Sequence, residues 1–241
     1  MTRPLAVVTG ASSGIGAAVA DRLADDWDLL LVGRDEARLA AVAARTGGHG
    51  LAADLACPDG VEAVRAAADG RVRLLVHAAG LGAAGPLEAI PATTVDELMA
   101  VNLVAPVQLT RALLPTLVAG RGHVVFVASI AAIGVAEEVA YSATKAGLRG
   151  FADALRLEAP IGVTTVLPGA VATAYFTRRD QPYHRRFPRP VSADRVAVAL
   201  LDGVRRRRAE VFVPRWLTLG ARVHGAAPAL FSRLSRRADP H

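Results

Sequence analysis

The chain has 241 residues, 52% of them hydrophobic and 21% charged, which suits one α/β domain with a large core and excludes a disordered or fibrous chain. Its net charge of +6 admits nucleic acid, an anionic surface or an acidic ligand without choosing among them, and its one cysteine, Cys57, excludes an internal disulfide. No basic start with an apolar signal core precedes Leu5, and the longest apolar stretches are broken before the roughly 18 residues of a membrane span, so the expectation is a cytoplasmic protein.

Leu5 to Thr9 is an apolar run closed by Gly10, after which Gly14 to Trp27 carries helical spacing through Ile15, Val19 and Leu23. Leu29 to Val32 reads as a second strand, Asp35 to Arg45 as a polar-capped helix and His49 to Ala53 as a third strand. Beyond the Pro58-Asp59-Gly60 break comes an amphipathic helix, then a strand from Val72 to Ala79 that ends at Gly80. Val95 to Ala119 reads as one long helix, His123 to Ala128 as a strand, Tyr141 to Glu158 as a helix and Ile161 to Leu167 as a strand. Residues 172–191 break the pattern with Arg, Pro and scattered aromatics and read as a flap. A helix from Ser192 to about Arg207 and a strand at Val211 to Val213 complete the series. Alternating strands and helices predict a single α/β domain, a doubly wound Rossmann-type parallel sheet with helices on both faces.

Thr9-Gly10-Ala11-Ser12-Ser13-Gly14-Ile15-Gly16 lies between the first strand and the first helix. There a helix N-terminus offers amide hydrogens to a pyrophosphate, and glycines let the backbone come close. In that setting the loop reads as a dinucleotide cradle. Its wording, T-G-x-x-x-G-I-G, resembles the short-chain dehydrogenase/reductase superfamily.

Four further segments carry the same resemblance. After Leu31-Val32, where a relative preferring NAD carries an aspartate, this chain has Gly33 followed by Arg34, which favours NADP(H) over NAD(H). Asp35 is the rival reading, although it also suits the first turn of the next helix, and Arg34 has a plain surface reading. Asp54-Leu55 matches the family's acidic contact to adenine, and Ala78-Ala79-Gly80 follows the fourth strand. Pro168-Gly169-Ala170-Val171-Ala172-Thr173 resembles the P-G-x-V-x-T segment that meets the nicotinamide carboxamide.

Tyr141 and Lys145 are four apart, on one face of a helix, and Lys145 is the only lysine among 28 basic residues. A phenol is a poor proton exchanger at neutral pH, and a nearby ammonium favours its charged form. The resemblance makes Tyr141 the general acid and base, Lys145 the holder of the nicotinamide ribose, and Ser129 the donor to the substrate carbonyl. Ser129 also has a plain reading as a cap. Asn102 resembles the asparagine whose backbone holds a water joined to the lysine.

The family's N-A-A-G is His77-Ala78-Ala79-Gly80 here, and His77 is expected to fill the asparagine's structural place. The stretch from Ser129 to Tyr141 is a residue short of the family spacing and contains Glu137 and Glu138, whose roles stay open. Two substrate classes compete: a thioester or acidic carrier met by Arg178, Arg179, Arg185, Arg186 and Arg189, and a free carbonyl or alcohol in a pocket of Ile133, Val135, Tyr175 and Phe176. A solvated rim is a third reading of those arginines. A silent cofactor sensor or scaffold is the other class, opposed by the intact Ser129, Tyr141 and Lys145. The tail from Trp216 to Arg237 mixes apolar residues with arginines and reads as a helix packed on its own domain or a second subunit, or else as a membrane-surface helix. Nucleic acid has only the charge in its favour and is set aside. The resemblance also implies a homodimer or homotetramer through the helices at 95–119 and 141–158.

Overall fold

In chain order the elements are β1 (Leu5–Thr9), α1 (Gly14–Leu23), β2 (Asp28–Gly33), α2 (Glu36–Thr46), β3 (His49–Ala52), α3 (Pro58–Ala67), β4 (Val72–His77), α4 (Ala92–Met99), α5 (Ala105–Ala119) and β5 (His123–Val127). There follow α6 (Val139–Glu158), β6 (Gly162–Pro168), the short β7 (Val171–Ala172) and β8 (Val191–Ser192), α7 (Ala193–Arg205), β9 (Glu210–Val213) and α8 (Leu217–Ala226). The computed structural model describes residues 3–68, 70–175, 179, 189–229, 231 and 233.

Seven strands form one parallel sheet in the order β3-β2-β1-β4-β5-β6-β9, and β7 pairs with β8 apart from it. Period-two alternation sorts each strand into two cores. Ala6, Val8, Leu29, Leu31, Val125 and Val127 meet α1, α2 and α7 through Val19, Leu23, Leu39 and Leu200. Their neighbours Leu5, Val7, Leu30, Val32, Val124 and Phe126 meet α3, α5 and α6 through Val64, Leu109, Leu117 and Leu148. Both faces are therefore covered, as a parallel sheet requires, except at the exposed edge strand β3.

Strand order reverses between β1 and β4, so the loops leaving their carboxyl ends part and leave a crevice. Local chemistry sets the boundaries. Asp35 caps α2 by accepting from the Arg38 amide at 3.0 Å, and Ser192 caps α7 by accepting from that of Arg195 at 3.1 Å. Pro58 opens α3, where its missing N–H costs nothing.

Several boundaries differ from expectation. β4 ends at His77 rather than Ala79, because the Ala78 and Ala79 amides turn to the Thr9 hydroxyl, at 3.2 Å each. Helix α1 stops at Leu23 rather than Trp27. The expected helix from Val95 begins at Ala92 and runs to Ala119, and it is not uniform: residues Ala100–Val104 form a π-turn. This helix is long and apolar enough by length and composition to cross a bilayer, yet Leu98, Leu109, Leu113 and Leu117 are buried in the protein's own core.

Candidate active site

The β1–α1 turn is built by close approach. Gly10 has φ +68°, and a Cβ there would lie 2.6 Å from the Ala79 nitrogen; one on Gly16 would lie 2.3 Å from the Gly10 carbonyl oxygen. Thr9, 1% exposed, ties this turn to the β4 end through the two amides it accepts. The start of α1 borders the crevice at Ser13, Gly14 and Ile15, where first-turn amides have no intrahelical acceptor.

That crevice is a groove of about 610 Å³. Its wall includes Gly10, Ser12, Ser13, Gly14 and Ile15 at one end, Arg34, Asp54 and Leu55 beside them, and Ala78, Ala79 and Gly80 below. Ser129, Tyr141, Lys145, Pro168, Gly169, Val171 and Thr173 line the rest of it, and Thr173 closes back on the glycine turn, its methyl carbon 3.2 Å from where a Cβ on Gly14 would stand. Two expected contacts are not on the wall. Gly16 lies beneath the turn, pressed on the Gly10 carbonyl, and Asn102 is 0% exposed behind Leu81.

Asn102 acts through its side chain. Its Oδ1 accepts from the Leu81 amide at 2.8 Å, and its Nδ2 donates to the Leu81 carbonyl at 2.9 Å and the Thr144 hydroxyl at 3.2 Å. The π-turn gives it this aim, with the Ala105 amide donating to the Ala100 carbonyl five residues back. Pro106, four residues after Asn102, brings no N–H to the Asn102 carbonyl.

Tyr141 and Lys145 stand one turn apart on α6, with the Lys145 nitrogen 5.6 Å from the Tyr141 ring centroid. Both are buried. Lys145 donates to the Val127 carbonyl at 3.0 Å, and burial pushes its ammonium down to about 8. Ser129 caps the turn that follows β5 by accepting from the Ala131 amide at 3.1 Å, so it fills the cap role while bordering the groove.

Burial raises the Tyr141 phenol above its ordinary value. Hydrogen bonding with Tyr175 and Ser129 pulls it down, the Glu138 charge pushes it up, and the Arg179 charge pulls it down. The expected lowering by Lys145 is therefore not what sets the balance: the burial that brings the two residues together also desolvates the phenolate.

Arg34 is exposed on the groove rim. Asp35 caps α2 and pairs with Arg38 at 3.2 Å, which favours the helix-end reading over a ribose contact. Arg38, which sequence reasoning missed, shares the rim with Arg34; it stands in the first turn of α2, and no local pattern singles it out among the arginines of that helix. His77 is 3% exposed, stacked on Phe126 at 5.1 Å and bonded through Nε2 to the Thr110 hydroxyl at 2.9 Å. Burial pushes it down to about 3, so it is a neutral structural residue between sheet and helix.

Glu138 forms an ion pair with Arg179 in which the side chains are 19% and 8% exposed. No local pattern announces a pair 41 residues apart. Among the arginines considered for a carrier, Arg178, Arg185 and Arg186 lie outside the described residues, as does Phe176; Arg189 is exposed. Val135 and Tyr175 line the groove, whereas Ile133 turns away and packs beneath α8 against Leu217 and Ala221. The start of the basic tail thus rests on its own domain, with Leu219 70% and Trp216 50% exposed on the outer side. Leu230 and Leu234 lie outside the described residues.

Comparison with known proteins identifies the family. Residues 4–183 match the family described as short chain dehydrogenase. A Xenopus laevis protein, dehydrogenase/reductase SDR family member 7B, is 33% identical across 96% of this chain and 81% of its own. A Streptomyces virginiae protein named as a candidate ketoacyl reductase of the monensin polyketide synthase is 37% identical across 76% of each chain. A solved short-chain dehydrogenase from Sphingobium yanoikuyae, in complex with NADPH, superposes with a TM-score of 0.83 at 32% identity, over 94% of this chain and 96% of the other. The chain belongs to the short-chain dehydrogenase/reductase family of oxidoreductases. A nicotinamide cofactor fits the groove, whose glycine turn leaves no room for a Cβ at Gly10 or Gly16.

Proposed function

We propose that the protein is an NADP(H)-dependent oxidoreductase that interconverts a carbonyl compound and a secondary alcohol, with Tyr141 as general acid in reduction and general base in oxidation. The observation that carries this reading is that Ser129 and Tyr141 border the same groove with the buried Lys145 one turn away.

Gly10, Ser12, Ser13, Gly14 and Ile15 would hold the pyrophosphate, Asp54 and Leu55 the adenine, and Pro168, Gly169, Val171 and Thr173 the carboxamide. Bound there, the nicotinamide supplies or accepts the hydride. The Ser129 hydroxyl donates a hydrogen bond to the carbonyl oxygen and so orients it. Tyr141 gives its phenolic proton to that oxygen as the carbon is reduced, and takes it back in oxidation. The Lys145 ammonium offsets the phenolate charge left behind.

The preference for NADP(H) rests on Arg34 and Arg38 at the rim, on Gly33 where an acid would stand, and on Asp35 being engaged in its cap. The NADPH of the Sphingobium relative is in keeping with it. The test follows NADPH and NADH consumption over ketones, aldehydes, diketones and acetoacetyl thioesters, for wild type and Tyr141→Phe. The expected result is consumption favouring NADPH, with kcat reduced roughly 10²–10⁴-fold in Tyr141→Phe. A fully active Tyr141→Phe overturns the mechanism, a preference for NADH overturns the reading of Arg34, and tight NADPH binding without turnover across the panel supports a cofactor sensor instead.

A further inference from the structure

Beside the Tyr141 phenol, and hydrogen-bonded to it, stands a second tyrosine whose ring the hydride chemistry does not require. The Tyr175 ring centroid stands 5.9 Å from that of Tyr141, tilted by 52°. Tyr175 packs in one apolar cluster with Leu81, Leu98, Ala131, Val135 and Tyr141. Its hydroxyl end presses on the β4 loop, where a Cβ on Gly82 would lie 2.2 Å from the phenolic oxygen. The ring therefore takes up space beside the phenol that would protonate a substrate.

Two charged groups hold it there. The Arg179 amide donates to the Tyr175 carbonyl at 3.2 Å, so the two residues share one turn. The guanidinium lies 5.8 Å from the Tyr175 ring centroid and is paired with Glu138. Glu138 stands three residues before Tyr141, and its carbonyl accepts from the Ser142 amide at 2.7 Å, so the helix that carries the catalytic phenol also carries the anchor. Glu137 before it is left-handed, with φ 60°, and its carbonyl accepts from the Gly85 amide at 2.7 Å. Charges this buried persist only when paired. The pair is neutral as a whole and offers no spare cation to an acidic substrate.

We propose that Tyr175, clamped by the Glu138–Arg179 ion pair, is the specificity-determining wall of the substrate pocket and confines the enzyme to uncharged carbonyl compounds with one small substituent. This rests on Tyr141 being the reacting group. A ketone placed between Ser129 and Tyr141 would have one substituent on the side of the Tyr175 ring, whose bulk limits the size of that substituent. An acidic thioester carrier finds Arg179 already engaged.

The experiment compares acetophenone with benzophenone, in turnover with NADPH and in binding by saturation-transfer NMR, for wild type and variants whose folding is checked by thermal melts. Wild type should favour acetophenone at least tenfold in kcat/KM. Tyr175→Ala should erase or reverse that ratio, mainly through KM for benzophenone, and Tyr175→Phe should keep it, because the ring and not the hydroxyl excludes bulk. Glu138→Gln and Arg179→Met should each erode the ratio, and the charge swap E138R/R179E should recover more of it than either half of the swap alone. Should Tyr175→Ala fail to fold, Tyr175→Leu takes its place. Equal use or equal binding of both ketones by wild type overturns the proposal, as does a Tyr175→Ala variant that loses both substrates in proportion. Turnover of neither ketone together with selective binding of acetophenone sinks the Tyr141 reading and leaves the wall standing.

Discussion

Replacing Asn102 with alanine tests how the groove is held beside Tyr141 and Lys145. The residue is 0% exposed and makes three hydrogen bonds, two to the Leu81 backbone and one to Thr144. Thr144 keeps its own bond to the Tyr141 carbonyl, at 2.7 Å, so the alanine orphans chiefly the Leu81 amide and carbonyl. Each partly buried backbone group left without a partner costs about 1–3 kcal/mol. Alanine recovers about 0.5 kcal/mol of helix propensity, and the expected net loss is about 1.5–5.5 kcal/mol. Because a Cβ on Gly80 would lie 3.4 Å from the Asn102 oxygen and 3.5 Å from the Lys145 nitrogen, the same loosening reaches the lysine, and kcat should fall roughly tenfold, about 1.4 kcal/mol in barrier. Asn102→Asp should be no better than alanine, since its second oxygen meets the Leu81 carbonyl where an amide donated. Urea unfolding at pH 7 and steady-state kinetics below the transition measure both effects. A loss under about 0.5 kcal/mol, or an aspartate variant as stable as wild type, would refute the view that this amide clamps the loop.

Acid should destabilise the fold through two buried histidines, His77 and His123, whose folded values of about 3 and about 4 lie below the ordinary 6.5. The unfolded chain takes up protons first, so their contribution is complete above about pH 6.5 and is lost as pH falls toward the folded values, by about 1.4 kcal/mol per unit for each group. Urea midpoints at pH 7 and pH 5 should reveal this, and His77→Asn should remove about half of the difference; an unchanged difference contradicts the assignment. Gly16→Ala should weaken NADPH binding at least tenfold in a fluorescence titration, because the new Cβ meets backbone 2.3 Å away, while Gly220→Ala, with nothing within 4 Å, should bind as wild type does. Equal affinities would show that the turn yields.

Much of the fold was legible because its signals are local. Continuous apolar runs along β1, β2 and β5 marked strands buried on both faces, Asp35 and Ser192 marked helix starts they do cap, and the glycine turn announced close approach. The four-residue spacing of Tyr141 and Lys145, with no other lysine in the chain, pointed to their shared face. The same local reading missed the π-turn at Ala100–Val104, because α and π turns differ by one hydrogen bond and not by apolar period. It also misplaced Ile133, which lies on the wrong side of its turn to reach the groove.

Residue order by itself thus determined the strand and helix series, the parallel sheet and many of the residues that line the groove, since periodicity, caps and turn glycines act over a few residues. Tertiary structure decided what those residues feel. Burial raised Tyr141 and lowered Lys145, Asn102 found its partner in Leu81, and Glu138 met Arg179 across 41 residues. Desolvation and ion pairing depend on what surrounds a group in space, and only the packed sheet and its loops bring those surroundings together.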